Sequence, residues 1–308
     1  MTNKFITTDC LPWMKKREDN SFNLTFGSPP YEDARSYGID FNLKGNQWVD
    51  WMADIVCEAV RITDGLVAFV VEGKTKKFSY SGTPVLLLAE LVNRGITIRK
   101  PPIFQRVGIP GSGGPDWLRN DYEFIVCATS GGKLPWSDNT AMGHPPKWAP
   151  GGEMSHRLTD GTRRNQWGGG ERGKNGILKT AKSRPSHQFT TKSATRVSRD
   201  GDTQTEIAYV PPVKANPGNV IQCKVGGGLM GSKLAHENEA PFPESLVEFF
   251  VKSFCPPGGL VLDPFSGSGT TAAVALKNGR GAVGLDVRKE QNMLARRRVK
   301  TEVVTEIV

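Results

Sequence analysis

The sequence has no C-x-x-C pair: its five cysteines, at 10, 57, 127, 223 and 255, are dispersed. Its four histidines, at 144, 156, 187 and 236, are scattered too. Neither set suggests a zinc site or a disulfide framework, so reduced, intracellular thiols and no metal are expected. No run approaches the roughly 20 apolar residues of a membrane helix, and no apolar N-terminal segment looks like a signal peptide. No internal repeat is visible. The phosphate-gripping loop G-x-x-x-x-G-K-[ST] is also missing, which sets aside that class of nucleotide binder.

What the sequence has is alternation. Apolar runs at 4–8, 22–26, 66–71, 96–104, 122–128, 260–263 and 280–286 read as seven strands. Segments with helical apolar spacing separate them, at 10–16, 48–61, 84–93, 243–254, 272–277 and 290–300. Asp64-Gly65 is expected to stop the second helix, and Pro101-Pro102 interrupts the fourth strand. Strands alternating with helices predict a Rossmann-like, doubly wound, mostly parallel α/β sheet.

The stretch Gly259-Leu-Val-Leu-Asp-Pro-Phe-Ser-Gly-Ser-Gly-Thr-Thr271 organises the chain. A buried strand ends in an acid, a tight turn of small residues follows, and a helix begins. Glycines let a ligand approach the backbone, and the helix start offers free N–H groups. Asp263 would repel pyrophosphate; it suits a ligand with a positive amino group and hydroxyls. Asp9 and Asp286 also stand at strand ends, and Asp286 lies about 20 residues beyond the glycines, the spacing of a ribose-binding acid. Each acid alone is more often a helix cap; together they favour a nucleoside-containing ligand.

Ser28-Pro29-Pro30-Tyr31 follows the second strand. Adjacent prolines fix an extended loop. Ser28 Oγ and the Pro29 carbonyl are placed to accept hydrogen bonds from an exocyclic amine, whose lone pair is otherwise delocalised into its ring. Tyr31 offers a ring for stacking. A base inside a duplex cannot reach such a pocket and must be flipped out.

The formal net charge is +9. Between 151 and 235 there are fourteen Lys/Arg against six Asp/Glu, so this segment supplies most of the excess. Trp136, Trp148, Trp167, Phe189 and Tyr209 punctuate the Gly- and Ser-rich region, unlike a linker. A basic, aromatic-dotted insert is read as a nucleic-acid recognition element. A strand at 205–210 is its one regular feature.

These two motifs resemble those of the amino-group DNA methyltransferases that use S-adenosylmethionine. Asp263-Pro-Phe-Ser-Gly-Ser-Gly-Thr-Thr271 is similar to their cofactor motif and Ser28-Pro-Pro-Tyr31 to their catalytic motif. His236-x-x-x-x-Ala240-Pro-Phe-Pro-Glu-x-Leu246 resembles the segment before the cofactor motif in the permuted, β class. The resemblance covers 1–131 and 219–308. It implies a circularly permuted sheet, with 1–131 and 232–308 as the catalytic and cofactor-binding domain and 132–231 as an irregular target-recognition insert. Asp9 would contact the adenine of S-adenosylmethionine and Asp286 its ribose. Asp263, Pro264, Phe265, Gly267, Ser268, Gly269 and Thr270 would surround the methionine part, with Phe242, Pro243 and Glu244 closing that side. Ser28, Pro29, Pro30 and Tyr31 would be catalytic. Arg35, with Arg163, Arg164, Arg172 and Lys174 of the insert, are candidate DNA contacts. The sequence departs from the family in placing Asn292-Met293 where a Tyr is common, and its insert carries no motif that identifies a target sequence.

Ser rather than Asp at position 28 leans to cytosine N4 over adenine N6. A C5-cytosine mechanism needs a nucleophilic Cys, and Cys255, far from the catalytic loop in sequence, does not provide one. The expected partner is double-stranded DNA, in the cytoplasm of a bacterial or phage-infected cell. A catalytically silent DNA-binding module and an RNA or protein methyltransferase are the rival readings. A separate restriction endonuclease as companion, and a monomer or homodimer, are both open on sequence alone.

Overall fold

The computed structural model describes residues 2–32, 41–108, 113–144, 194–197, 204–207, 213–225, 230–238 and 241–303. The chain divides into two compact units: Met1–Met142 with Gly218–Val308, and Gly143–Pro217.

The first unit opens with β1 (Asn3–Thr7), α1 (Cys10–Met14) and β2 (Phe22–Gly27). α2 (Gly45–Ile62) runs straight into β3 (Thr63–Val71). A small hairpin, β4 (Thr75–Lys76) and β5 (Ser79–Tyr80), precedes α3 (Thr83–Asn93). β6 (Thr97–Ile98), β7 (Ile103–Val107) and β8 (Tyr122–Thr129) follow. The second unit holds β9 (Ala194–Val197) and β10 (Gln204–Ile207), paired antiparallel. The first unit resumes with β11 (Val220–Lys224), α4 (Glu244–Phe254), β12 (Leu260–Asp263), α5 (Thr270–Lys277), β13 (Gly281–Asp286) and α6 (Lys289–Arg298), which continues as a π-helical turn, Val299–Val303.

Among the described residues the main sheet has nine strands, ordered β1-β13-β12-β2-β3-β8-β7-β11, with β6 also on β8. β1, β13, β12, β2 and β3 run parallel, and so do β7 and β11; β8 opposes its neighbours. Helices cover both faces because the strands are apolar on both. In β3, Leu66, Ala68 and Val70 join Leu246, Val247, Phe250 and the buried α5 on one side. Val67, Phe69 and Val71 join Trp48, Met52, Ile55 and Val56 of α2 and Leu87 and Leu91 of α3 on the other. This is the doubly wound arrangement expected of continuous apolar strands.

Two expectations need correction. The sheet has nine strands rather than seven: Pro101-Pro102 splits the 96–104 run into two strands at different places on β8, and β11 adds an edge. β11 thus belongs to the sheet, although composition groups its residues with the insert. Asp64-Gly65 does not stop a helix; both residues lie within β3. Gly65 is needed there because a Cβ would sit 2.0 Å from the Asn23 carbonyl oxygen, at the irregularity between β2 and β3. The 205–210 strand is observed as 204–207, and residues 208–210 lie outside the described residues.

Candidate active site

Parallel strands bring their carboxyl ends to one edge. Here that edge collects Asp9 after β1, Ser28 after β2, Glu72 after β3, Asp263 ending β12 and Asp286 ending β13. β12 lies between β13 and β2, so the two sequence motifs become neighbours. Gly27 makes the contact close: a Cβ there would lie 2.5 Å from Asp263 Oδ1.

The turn after β12 is held from several sides. Asp263 Oδ1 accepts from the Phe265 N–H (3.0 Å), and the Ser266 N–H donates to the Leu285 carbonyl (2.8 Å). Asp286 Oδ2 accepts from the Gly267 N–H (3.0 Å), and its Oδ1 accepts from the Arg288 N–H (2.8 Å). Gly267 and Gly269 both have left-handed φ, +48° and +77°. A Cβ on Gly269 would also meet the Ala295 Cβ at 2.7 Å, so α6 packs directly on the turn. Phe265 packs on Trp51 and Phe69, with ring centroids 5.9 and 6.0 Å apart.

Asp263 is fully buried, and burial pushes its carboxyl up to about 7, against the Phe265 N–H that favours the charged form. Its Oδ2 and the Ser266 hydroxyl are buried without a hydrogen-bond partner among the described residues, and the Thr271 hydroxyl lies beside the carboxylate without completing a bond. Buried polar atoms of this kind await a partner. A carboxylate, hydroxyls, left-handed glycines and a helix start together fit a ligand carrying an ammonium and hydroxyl groups, as S-adenosylmethionine does.

Of the other expected cofactor residues, Asp9 caps α1, accepting from the Leu11 N–H (3.0 Å). Asp9 stands beside Asp286, because Thr7 pairs with Asp286 and the Thr8 N–H donates to the Asp286 carbonyl (3.1 Å). Phe242 meets Phe26 of β2 edge-on (5.7 Å), and Pro243 precedes α4, whose first residue is Glu244. Glu244 is held by Arg298, which sequence reading misses. Arg298 has no solvent exposure. It donates to Glu244 Oε1 (2.5 Å), Glu302 Oε2 (3.1 Å), Thr270 Oγ1 (2.8 Å) and Ser268 Oγ (3.4 Å). One buried guanidinium thus ties α4, α5 and α6 under the turn. The run Arg296-Arg297-Arg298 hides it, since such runs normally face solvent.

Asn292, of the Asn292-Met293 pair singled out in the sequence, is buried and donates to Thr7 Oγ1 (3.0 Å) and the Asp286 carbonyl (3.1 Å), a polar clasp between β1 and β13.

In the proline loop, the Ser28 hydroxyl donates to the Tyr31 hydroxyl (3.2 Å), which donates to Glu123 Oε2 (2.7 Å). Arg106 holds the other oxygen of Glu123 (3.3 Å). Trp48 Nε1 donates to the Pro30 carbonyl (2.9 Å). Glu32 is buried and accepts from the Gly45 N–H and the Thr83 hydroxyl, both 3.0 Å. Burial raises its carboxyl, but hydrogen bonds from Ser81, Gly45, Thr83 and Lys74 outweigh this and hold it below the usual range. Glu72 accepts from the Tyr80 hydroxyl (3.0 Å) and is pushed up by burial, with Glu123 adding and Arg106 opposing. Arg106, Glu123 and Glu72 reach the site only through the fold, whereas Glu32 directly follows Tyr31 in the sequence. Arg35, Arg163, Arg164, Arg172 and Lys174 lie outside the described residues. The five cysteines are free thiols, and burial pushes Cys10, Cys127 and Cys255 up to about 12. No cluster of metal-ligating residues occurs among the described residues, and no described helix is long and apolar enough to cross a membrane.

The small-residue turn after β12 and the Ser-Pro-Pro-Tyr loop after β2 stand on adjacent strands, an arrangement that fits an S-adenosylmethionine-dependent amino-group methyltransferase. The chain belongs to the N6/N4 DNA methylase family, which matches residues 22–297. It is therefore a site-specific DNA methyltransferase acting on an exocyclic amine. It is 27% identical to the orphan methyltransferase M.BamHII of Bacillus amyloliquefaciens over 293 residues, 93% of this chain and 91% of that protein. Its fold is similar to that of the PvuII DNA methyltransferase, described as cytosine-N4-specific: TM-score 0.61, 17% identity, covering 97% of this chain and 86% of that one. It is also similar to that of a DNA modification methylase of Thermus thermophilus in complex with S-adenosylmethionine: TM-score 0.54, 16% identity, covering 98% and 96%.

Proposed function

We propose that the chain methylates the N4 amine of a cytosine flipped out of duplex DNA, with Ser28, Pro29, Pro30 and Tyr31 as the catalytic residues. The observation that carries this reading is the hydrogen-bond direction in the proline loop. Ser28 gives its proton to Tyr31, and Tyr31 gives its own to Glu123. The Ser28 oxygen is left able to accept from an amine N–H. Together with the Pro29 carbonyl it would draw the amine nitrogen towards tetrahedral geometry, freeing its lone pair. Tyr31, fixed at its hydroxyl, presents a ring for the extruded base.

S-adenosylmethionine, when bound, supplies a sulfonium methyl group. Asp263, Pro264, Phe265, Gly267, Ser268, Gly269 and Thr270 would hold its methionine part, Phe242, Pro243 and Glu244 would close that side, and Asp9 and Asp286 would take its adenosine. The Gly27–Asp263 contact supports this, since direct transfer needs positioning and polarisation and no metal. The basic 132–231 segment would recognise the target sequence, with Arg35, Arg163, Arg164, Arg172 and Lys174 contacting DNA. The same reading places the protein in the cytoplasm, with or without a companion restriction endonuclease.

Serine at position 28, and the PvuII enzyme's specificity, favour cytosine over adenine. Treating mixed-sequence DNA with the protein and S-adenosylmethionine, then digesting to nucleosides, should yield N4-methylcytosine by mass. N6-methyladenine alone would overturn the choice of base. Label transferred only to RNA or protein, or to nothing, would overturn the reading altogether.

A further inference from the structure

The β4–β5 hairpin has no role in the chemistry above, yet its stem is bolted to the catalytic loop. The Lys74 N–H donates to Ser81 Oγ (3.0 Å), the Ser81 N–H donates to the Lys74 carbonyl (2.9 Å), and Thr83 donates to Glu32, the residue after Tyr31. Tyr80 is fixed to Glu72. A Cβ on Gly73 would lie 2.7 Å from the Tyr80 ring, so the stem is closely packed. Being the continuation of β3, the neighbour of β2, the hairpin stands at the edge that carries Ser28.

Its tip is built differently. Thr75 pairs with Tyr80 and Lys76 with Ser79, leaving Lys77 and Phe78 as the two turn residues. Both have left-handed φ, +50° and +64°. Such a turn favours Asn-Gly, and an aromatic there is strained. Phe78 is 80% exposed, so the strain is not offset by burial. Strained, exposed apolar residues at an active-site rim suggest a functional constraint. Lys74, Lys76 and Lys77 make the same short segment cationic.

We infer that this hairpin is a DNA-inserting element. Phe78 enters the base stack at the place the target base leaves, and Lys76 and Lys77 take flanking phosphates. The inference rests on the base-flipping reading above. A cationic, aromatic tip matches what duplex insertion requires: phosphate attraction plus an apolar wedge. A second exposed apolar pair, Trp117 and Leu118, caps the β7–β8 connection, but Asp116 and Asp121 flank it and cancel the charge of Arg119. One exposed aromatic is also far smaller than the roughly 800 Å² per partner of a stable subunit interface.

The test first maps the methylated site by single-molecule sequencing of DNA treated with the unaltered protein. No methylation at that stage overturns the base-flipping reading and this inference with it. Two oligonucleotide duplexes are then compared, one with the target base paired and one with it opposite an abasic site. Phe78→Gly relieves the left-handed strain, so Tm should hold or rise. Its kcat/KM should fall at least about thirty-fold on the paired duplex and less than about three-fold opposite the abasic site, because the target base there has no pairing partner to leave and no gap in the opposite strand needs to be opened. Phe78→Leu should recover most of the loss. Lys76→Ala/Lys77→Ala should lower the slope of log affinity against log salt by about 1 to 2. Equal losses on both duplexes, no loss on either, or a fall in Tm that accounts for the lost activity would overturn the inference. So would a duplex-selective loss in Trp117→Ala/Leu118→Ala that Phe78→Gly does not show.

Discussion

A guanidinium with no solvent exposure must have its charge met from within, and Arg298 meets it through Glu244, Glu302, Ser268 and Thr270. Removing one partner of such a group strands the others. Arg298→Met should destabilise the protein by about 3–5 kcal/mol in urea unfolding, and Arg298→Met/Glu244→Gln should recover part of that loss. No coupling between the two substitutions would show that the pair is incidental. Asp263 adds a pH dependence. Its folded pKa, about 7, is above that of an exposed carboxylate. Below the unfolded value both states hold the proton and the contribution to stability is fully present; it is lost as pH rises towards 7, where only the folded state still binds a proton. A bound ammonium group reverses the preference and favours the carboxylate. S-adenosylmethionine affinity should therefore strengthen with pH up to about 7 and then level off, with proton release in calorimetry. Asp263→Asn should bind weakly at every pH, with the dependence gone.

At the scale of elements, the site is set by the spacing of two strands. Gly27→Ala would push β2 away from Asp263 and should lower kcat by about tenfold or more, since small misplacements cost heavily in transfer reactions. S-adenosylmethionine affinity, read in the same preparation, should change far less. An unaltered kcat would mean the two strand ends are not held in register for catalysis. The strands and both motifs are legible because each is written in consecutive residues: β12 and its turn as apolar run, acid and small residues, the catalytic loop as Ser-Pro-Pro-Tyr. The supporting residues are not. Glu123 reaches Tyr31 across 92 positions, and Arg298 reaches Glu244 across 54. Gly65 reads as a helix stop because local reading cannot see Asn23 against it. The β4–β5 hairpin escapes notice because Lys-Phe is a poor turn sequence.

For the whole molecule, charge and fold are separately distributed. The main sheet and its two cores lie in the unit formed by Met1–Met142 and Gly218–Val308. The 151–235 segment carries most of the positive excess. The ends of the Gly143–Pro217 unit are held together, with His144 and Ala215 exchanging backbone hydrogen bonds of 3.3 and 3.0 Å. Replacing residues 145–214 with a short Gly/Ser linker is therefore geometrically easy. The shortened protein should bind S-adenosylmethionine with little change but lose most duplex affinity and methylation, measured by filter binding and label transfer. Retained sequence-specific methylation would remove the recognition role from this unit.

Asn23 has one further consequence. Its side chain accepts from the Leu260 N–H at 2.8 Å, joining residues 237 positions apart, where β2 meets β12. During synthesis β2 leaves the ribosome early, with β3 available on one side only. Its other edge has no partner until nearly the whole chain has been made. Long-range parallel pairing of this kind folds slowly and leaves an open edge exposed to wrong partners. The two halves of the candidate site therefore come together late, so a truncated nascent chain carries the Ser28–Tyr31 loop without the β12 turn beside it.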